Sequence, residues 1–276
     1  MNNIAMVALF CAVLFAANAH AQHKLVKKWE TDSTLKVPES VLFDAGNQVL
    51  YVSNIEGNFD EKDGKGSIGK IGLDGKIIAT DWVTGLNAPK GMALVKNMLW
   101  VADVDEVVAI DIKSGKITNR IKIEGAKFLN DVAADAKGGI YVSDSETKKV
   151  HKIDNGKPSV FLQDLQGPNG LLVYKDEVYV LDSGTMNKVG KGKSLEKLAE
   201  GLDASTDGIE HVVENDFLVS AWSGVIYYVK GDGTSEKLLD TRDQQINSAD
   251  IGYDAKNRIV YVPTFFKNSV VAYQLQ

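Results

Sequence analysis

The 276 residues carry a formal charge of -6 and an ordinary globular composition, 44% hydrophobic and 25% charged. An acidic chain lacks the basic face that phosphate backbones require, which excludes a nucleic-acid partner. The length favours one large domain or two small ones.

Residues 4–17 form an apolar stretch, and Ala19-His20-Ala21 then puts small residues at the two positions a signal peptidase reads. Cleavage is expected after Ala21, leaving one domain over 22–276. An uncleaved anchor is the alternative, although the stretch is short for a membrane span. The single cysteine, Cys11, lies in this leader, so the remaining chain holds no disulfide and no cysteine metal site. The expected product is soluble, free of the membrane, and periplasmic or secreted.

Past the leader, Lys24 to Glu30 reads as a strand with no neighbour in sequence. Six similar units follow. Each opens on a short motif: Pro38-Glu39-Ser40, Pro89-Lys90-Gly91, Leu129-Asn130-Asp131, Pro168-Asn169-Gly170, Thr206-Asp207-Gly208 and Ser248-Ala249-Asp250. Their middle residues are 51, 40, 39, 38 and 42 apart. A β-branched and aromatic strand comes next in each: Leu50-Tyr51-Val52, Leu99-Trp100-Val101, Ile140-Tyr141-Val142, Val178-Tyr179-Val180, Phe217-Leu218-Val219 and Val260-Tyr261-Val262. Tight-turn signals close five units at Asp74-Gly75, Ser114-Gly115, Asn155-Gly156, Gly190-Lys191-Gly192 and Asp232-Gly233.

A period of about 40 residues with four short strands is that of a propeller blade. Helical periodicity is nearly absent; Ser194 to Gly201 reads as an outer strand. The expected fold is all-β, a six-bladed β-propeller. The sixth unit stops after its third strand, at Val270 to Gln274, so the N-terminal strand is expected to close the ring. Closure removes exposed sheet edges, and oligomeric state is left open.

The opening motif marks the start of each innermost strand. Glu39, Lys90, Asn130, Asn169, Asp207 and Ala249 should therefore converge on one mouth of the central channel. The connection between the second and third strands reaches the same face, bringing Asn54, Asp103, Asp144, Asp182, Trp222, Phe265 and Phe266. The first blade has an insertion there, Glu56 to Gly66, read either as a lid or as a solvated hairpin loop. Glu39 and Asp207 offer carboxylates, and Asn130 and Asn169 offer neutral oxygens, a set suited to one hard divalent cation such as calcium. The alternative is that these polar residues only cap strand ends.

With these motifs, together with Phe128 before Leu129 and Gly167 before Pro168, the whole chain after the leader resembles the gluconolactonase–regucalcin (senescence marker protein) family, relatives of the paraoxonases. The resemblance implies a divalent metal, often calcium, held by Glu39, Asn169 and Asp207, with Asn130 contacting substrate or metal. It implies a hydrolase that opens lactones or related esters, a small-molecule substrate polarised by the metal, and Asp207 as base or ligand. Lys90 stands near where paraoxonase-like members place a histidine. It is a candidate for the chemistry, a competitor for the carboxylates, or a surface cation. Trp222 and Phe265 are candidate substrate contacts. The alternative function is a non-catalytic binding propeller with a structural metal.

Gly64-Lys65-Gly66-Ser67-Ile68-Gly69 fits a dinucleotide-binding pattern but has no helix after it, and is read as a false match. His151, placed in an outer strand, and His211 fall outside the register of the mouth. Asp131 and Asp250, one step past the converging positions, either support the ligands or bind neighbouring backbone.

Overall fold

The computed structural model describes residues 22–276, so the proposed leader and Cys11 lie outside the described residues. The described residues form 24 strands in six antiparallel sheets of four, beginning with β1 (Leu25–Glu30). Blade 1 holds β2 (Pro38–Asp44), β3 (Val49–Asn54), β4 (Gly66–Gly72) and β5 (Ile77–Leu86). Blade 2 holds β6 (Pro89–Val95), β7 (Met98–Asp103), β8 (Glu106–Asp111) and β9 (Lys116–Lys122). Blade 3 holds β10 (Leu129–Ala134), β11 (Ile140–Asp144), β12 (Lys149–Asp154) and β13 (Lys157–Leu162). Blade 4 holds β14 (Pro168–Tyr174), β15 (Glu177–Asp182), β16 (Thr185–Val189) and β17 (Leu195–Ala199). Blade 5 holds β18 (Thr206–Val213), β19 (Asp216–Ala221), β20 (Val225–Val229) and β21 (Ser235–Asp240). Blade 6 holds β22 (Gly252–Asp254), β23 (Ile259–Pro263) and β24 (Val270–Leu275), and β1 supplies its outer strand by pairing with β24. The six-bladed propeller closed by the N-terminal strand is therefore observed.

Each sheet is buried on both faces, which is why the second strands read as continuous apolar runs. In β3, Val49 and Tyr51 pack into the seam with blade 2, while Leu50 and Val52 pack into the seam with blade 6. In β11, Ile140 and Val142 face blade 2 and Tyr141 faces blade 4. The core is thus six seams between neighbouring sheets. The turn glycines do what their sequence signals require: Gly75, Gly115, Gly156, Gly192 and Gly233 all have positive φ, between 67° and 86°. Gly66 to Gly69 lies inside β4, with no helix after it, so the dinucleotide pattern is a coincidence of turn and strand.

Candidate functional site

Five innermost strands begin with a break in register. In blade 2, Pro89 pairs with Asp103 and Met92 with Val101, so Lys90 and Gly91 together oppose one residue of β7. The same break falls at Asn130–Asp131, Asn169–Gly170 and Asp207–Gly208, and a related shift falls at Glu39. A β-bulge releases a residue from the ladder and re-aims its side chain. That is the local reason these five residues turn together. The glycines allow close approach between blades: a Cβ on Gly91 would strike Asp131, one on Gly170 would strike the Asp207 carbonyl, and one on Gly208 would strike Asp250.

Glu39, Lys90, Asn130, Asn169 and Asp207 line one cavity of about 450 Å³ with Trp222, Phe265 and Phe266. Ala249 does not: it is buried against Ile55, Ala88, Val104 and Phe265. Asn54, Asp103, Asp144 and Asp182 do not line the cavity either, a correction to the expected second set. Asp103 accepts the backbone N–H groups of Asn87 and Ala88, and Asp182 those of Gln166 and Gly167. Asp144 accepts those of Lys127, Phe128 and Thr147, and Asn54 that of Lys36. Their oxygens are spent holding the connections that carry the mouth, which is the capping role weighed as the alternative for polar residues here.

Within the cavity, the Asn169 side chain donates to Asp207 Oδ1 at 2.8 Å, leaving Asn169 Oδ1 buried without a partner. Glu39 Oε2 is also buried and unpartnered. Asn130 is set by its donation to the Ser145 hydroxyl at 3.2 Å, which in turn donates to the Pro168 carbonyl at 2.6 Å. Two orphaned oxygen acceptors beside a carboxylate are what an oxygen-ligated cation would satisfy. Among the described residues no group of three or more His, Cys, Asp or Glu is placed for a metal, so any such site depends on the amides.

Lys90 is 2% exposed and is not a surface cation. Its ammonium donates to the carbonyls of Phe59 at 2.8 Å and Ala88 at 3.1 Å, and lies 4.5 Å from the centre of the Phe128 ring. Among the described residues Lys90 forms no ion pair. Burial lowers its pKa to about 8, opposed by the charge of Glu39. Through Phe59, Lys90 ties the blade 1 insertion to the mouth, and Lys62 pairs with Asp105 at 2.5 Å to hold the same loop against blade 2. Phe59 and Phe128 line the cavity, and sequence reasoning missed both as site residues. The signal for Phe59 was an aromatic in an otherwise polar insertion, while Phe128 stood beside the opening motif of blade 3.

His151 sits in the third strand of blade 3, β12, not the outermost, and is 5% exposed. His211 stacks on Tyr174 and His23 on Tyr228, both with ring centres 3.7 Å apart. None lines the mouth. Asp131 accepts the N–H groups of Leu171 and Val132, and Asp250 accepts the Ser40 hydroxyl, so both staple adjacent blades together.

Burial, reinforced by neighbouring carboxylates, pushes Glu39, Asp131 and Asp207 well above the usual carboxylate range. Burial likewise pushes Asp250 up to about 7 and Glu210 up to about 8. A carboxyl whose pKa is raised on folding holds its proton more tightly in the native state. The stability this gives is complete below the unfolded pKa, near 4, and is lost as pH rises through the folded value. The chelator-treated protein should therefore melt at least about 5 °C lower at pH 8 than at pH 5. A thermal melt series checks this, and a midpoint flat or rising across that window would contradict it.

No family model matches the chain. No curated protein matches it. Solved structures are similar in shape. A catalytically inactive histidine-to-alanine variant of virginiamycin B lyase from Staphylococcus aureus, solved with quinupristin, aligns over 92% of this chain and 100% of its own, with TM-score 0.65 and 13% identity. A protein provisionally named a gluconolactonase aligns over 93% of both chains, with TM-score 0.67 and 14% identity. A chain of a nidogen–laminin complex aligns over 79% of this chain and 84% of its own, with TM-score 0.63 and 17% identity. At such identities these likenesses concern the fold.

Proposed function

We propose that the protein is a divalent-cation-dependent hydrolase, calcium being the best-suited ion, that opens lactones or related esters at this mouth of the channel. The observation that carries the reading is the pair of buried, unpartnered oxygens, Glu39 Oε2 and Asn169 Oδ1, beside the Asp207 carboxylate. Glu39, Asn169 and Asp207, with Asn130 next to them, would hold the ion, whose contribution when bound is to polarise a carbonyl. Asp207 would act as ligand or as the base that takes a proton from an attacking water. The Lys90 ammonium offers a hydrogen bond to an oxyanion or to a substrate carboxylate. Lactone opening in general, rather than a sugar substrate, has the further support of the structural likeness to the provisionally named gluconolactonase. Histidine-dependent lyase chemistry has less, because none of the described histidines lines the cavity.

A second reading is a binding propeller without chemistry. Lys90 favours it, since a buried ammonium near Glu39 opposes a cation at the same carboxylate. The two readings part on one experiment. Chelator-stripped protein should regain at least about a hundredfold in lactone turnover when calcium is added, measured by the acid released. A melting temperature raised by calcium with no lactone or ester opened would leave the binding reading. No response in rate or stability would remove the cation from both.

A further inference from the structure

The cavity is divided by chemistry. Of its polar groups, Glu39, Lys90, Asn130, Asn169 and Asp207 come from the bulges at the channel, with the hydroxyls of Ser145, Ser183 and Ser205 beside them. Its rim is aromatic on two sides. Phe59 and Phe128 meet edge to face at 6.0 Å between ring centres. Across blades 5 and 6, Trp222, Phe265 and Phe266 form a second edge-to-face cluster, with centres 4.7 to 6.1 Å apart. Phe59, Trp222 and Phe266 are 51%, 38% and 63% exposed, and they are the only aromatics among the large exposed hydrophobic residues of the described chain. Their gathering at one mouth marks a surface kept apolar for a ligand.

We infer that the substrate is a lactone or ester with a compact polar head and a bulky alkyl or aryl tail, the head facing the Glu39–Asp207 floor and the tail lying between the two aromatic clusters. Sugar lactones are disfavoured by the same walls. Ring hydroxyls pressed against Phe59, Phe128, Trp222 or Phe266 would lose water and find no partner, whereas each tail carbon would gain by leaving water. Phe59 makes the blade 1 insertion part of the specificity wall, held in place by the Lys90 bond to its carbonyl. The reaction in this inference rests on the hydrolase reading; the binding preference does not.

The test uses residues 22–276, with calcium present. kcat/KM for δ-nonalactone should exceed that for δ-valerolactone at least tenfold, and that for glucono-δ-lactone by more. Trp222→Ala and Phe266→Ala, both at exposed positions, should each pull the nonalactone-to-valerolactone ratio down at least fivefold, with the far-UV spectrum unchanged. In parallel, calorimetry with two ketones that have no bond to hydrolyse, 2-butylcyclohexanone and cyclohexanone, should show at least tenfold tighter binding of the butyl compound, weakened by the same substitutions. If no lactone is opened but the ketone preference holds, the hydrolase reading fails and the ligand class stands. A preference for glucono-δ-lactone would overturn the inference. So would a tail preference that is absent or that survives both rim substitutions.

Discussion

Replacing Asp207 by Asn should lower kcat/KM for lactone opening by about a thousandfold, within the range of about 10²–10⁴ that a positioned proton acceptor contributes. The amide is nearly the same size and can still accept the Asn169 side-chain hydrogen bond that Asp207 Oδ1 receives at 2.8 Å. What it lacks is the charge. The same substitution removes a carboxyl that opposes ionisation of Glu39. Asp207→Asn should therefore melt higher than the parent in chelator at pH 8, while losing the rise that calcium gives the parent. The paired readout separates a lost site from a damaged fold. Turnover within tenfold of the parent, with the calcium response intact, would move both ligand and base away from Asp207.

The largest loss of stability is expected from Asp144→Ala. Asp144 is fully buried, and its two oxygens accept three backbone N–H groups, from Lys127, Phe128 and Thr147, at 3.1 to 3.2 Å. Each donor left without a partner costs about 1–3 kcal/mol, less where water can enter. A total near 4 kcal/mol would lower the melting midpoint by roughly 8–16 °C in a chain of this size. Asp144→Asn keeps one oxygen acceptor and should lose about half as much. Denaturant unfolding of both variants checks the order, and a loss under about 1 kcal/mol for the alanine variant would contradict the account. Because two of the three donors flank or belong to Phe128, the alanine variant should also loosen one aromatic wall of the mouth.

Why so much of this fold is legible in the residues follows from burial on two faces. Tyr51 and Leu50 serve different seams yet stand side by side in sequence, so the second strand of a blade reads as an apolar run with an aromatic at a fixed place. The missing strand of blade 6 is legible because Lys24 to Glu30 has no partner nearby in sequence. Convergence of Glu39, Lys90, Asn130, Asn169 and Asp207 is legible as register. The bulges that turn these side chains inward are not, since a bulge appears only as one residue too many between two paired positions. Asp103, Asp144 and Asp182 mislead for a related reason. A carboxylate that accepts N–H groups from a turn and one that faces a cavity have the same letter, and only the backbone around them tells which it is. Lys90 likewise reads as a partner for carboxylates, but two of its three N–H donors go to the Phe59 and Ala88 carbonyls.

The strand that completes blade 6 comes from the opposite end of the chain. Lys24 and Gln276 exchange both backbone hydrogen bonds, at 3.1 and 3.0 Å. Blades 1 to 5 are each assembled from hairpins of neighbouring sequence, so their contacts are short-range and quick to form. The last sheet alone spans the full length and must bring two ends together after everything between them is made. During synthesis β1 waits, unpaired, for β24. Ring closure is therefore expected to come late, and until it happens both β1 and the open edge of β24 would be available to the wrong partner.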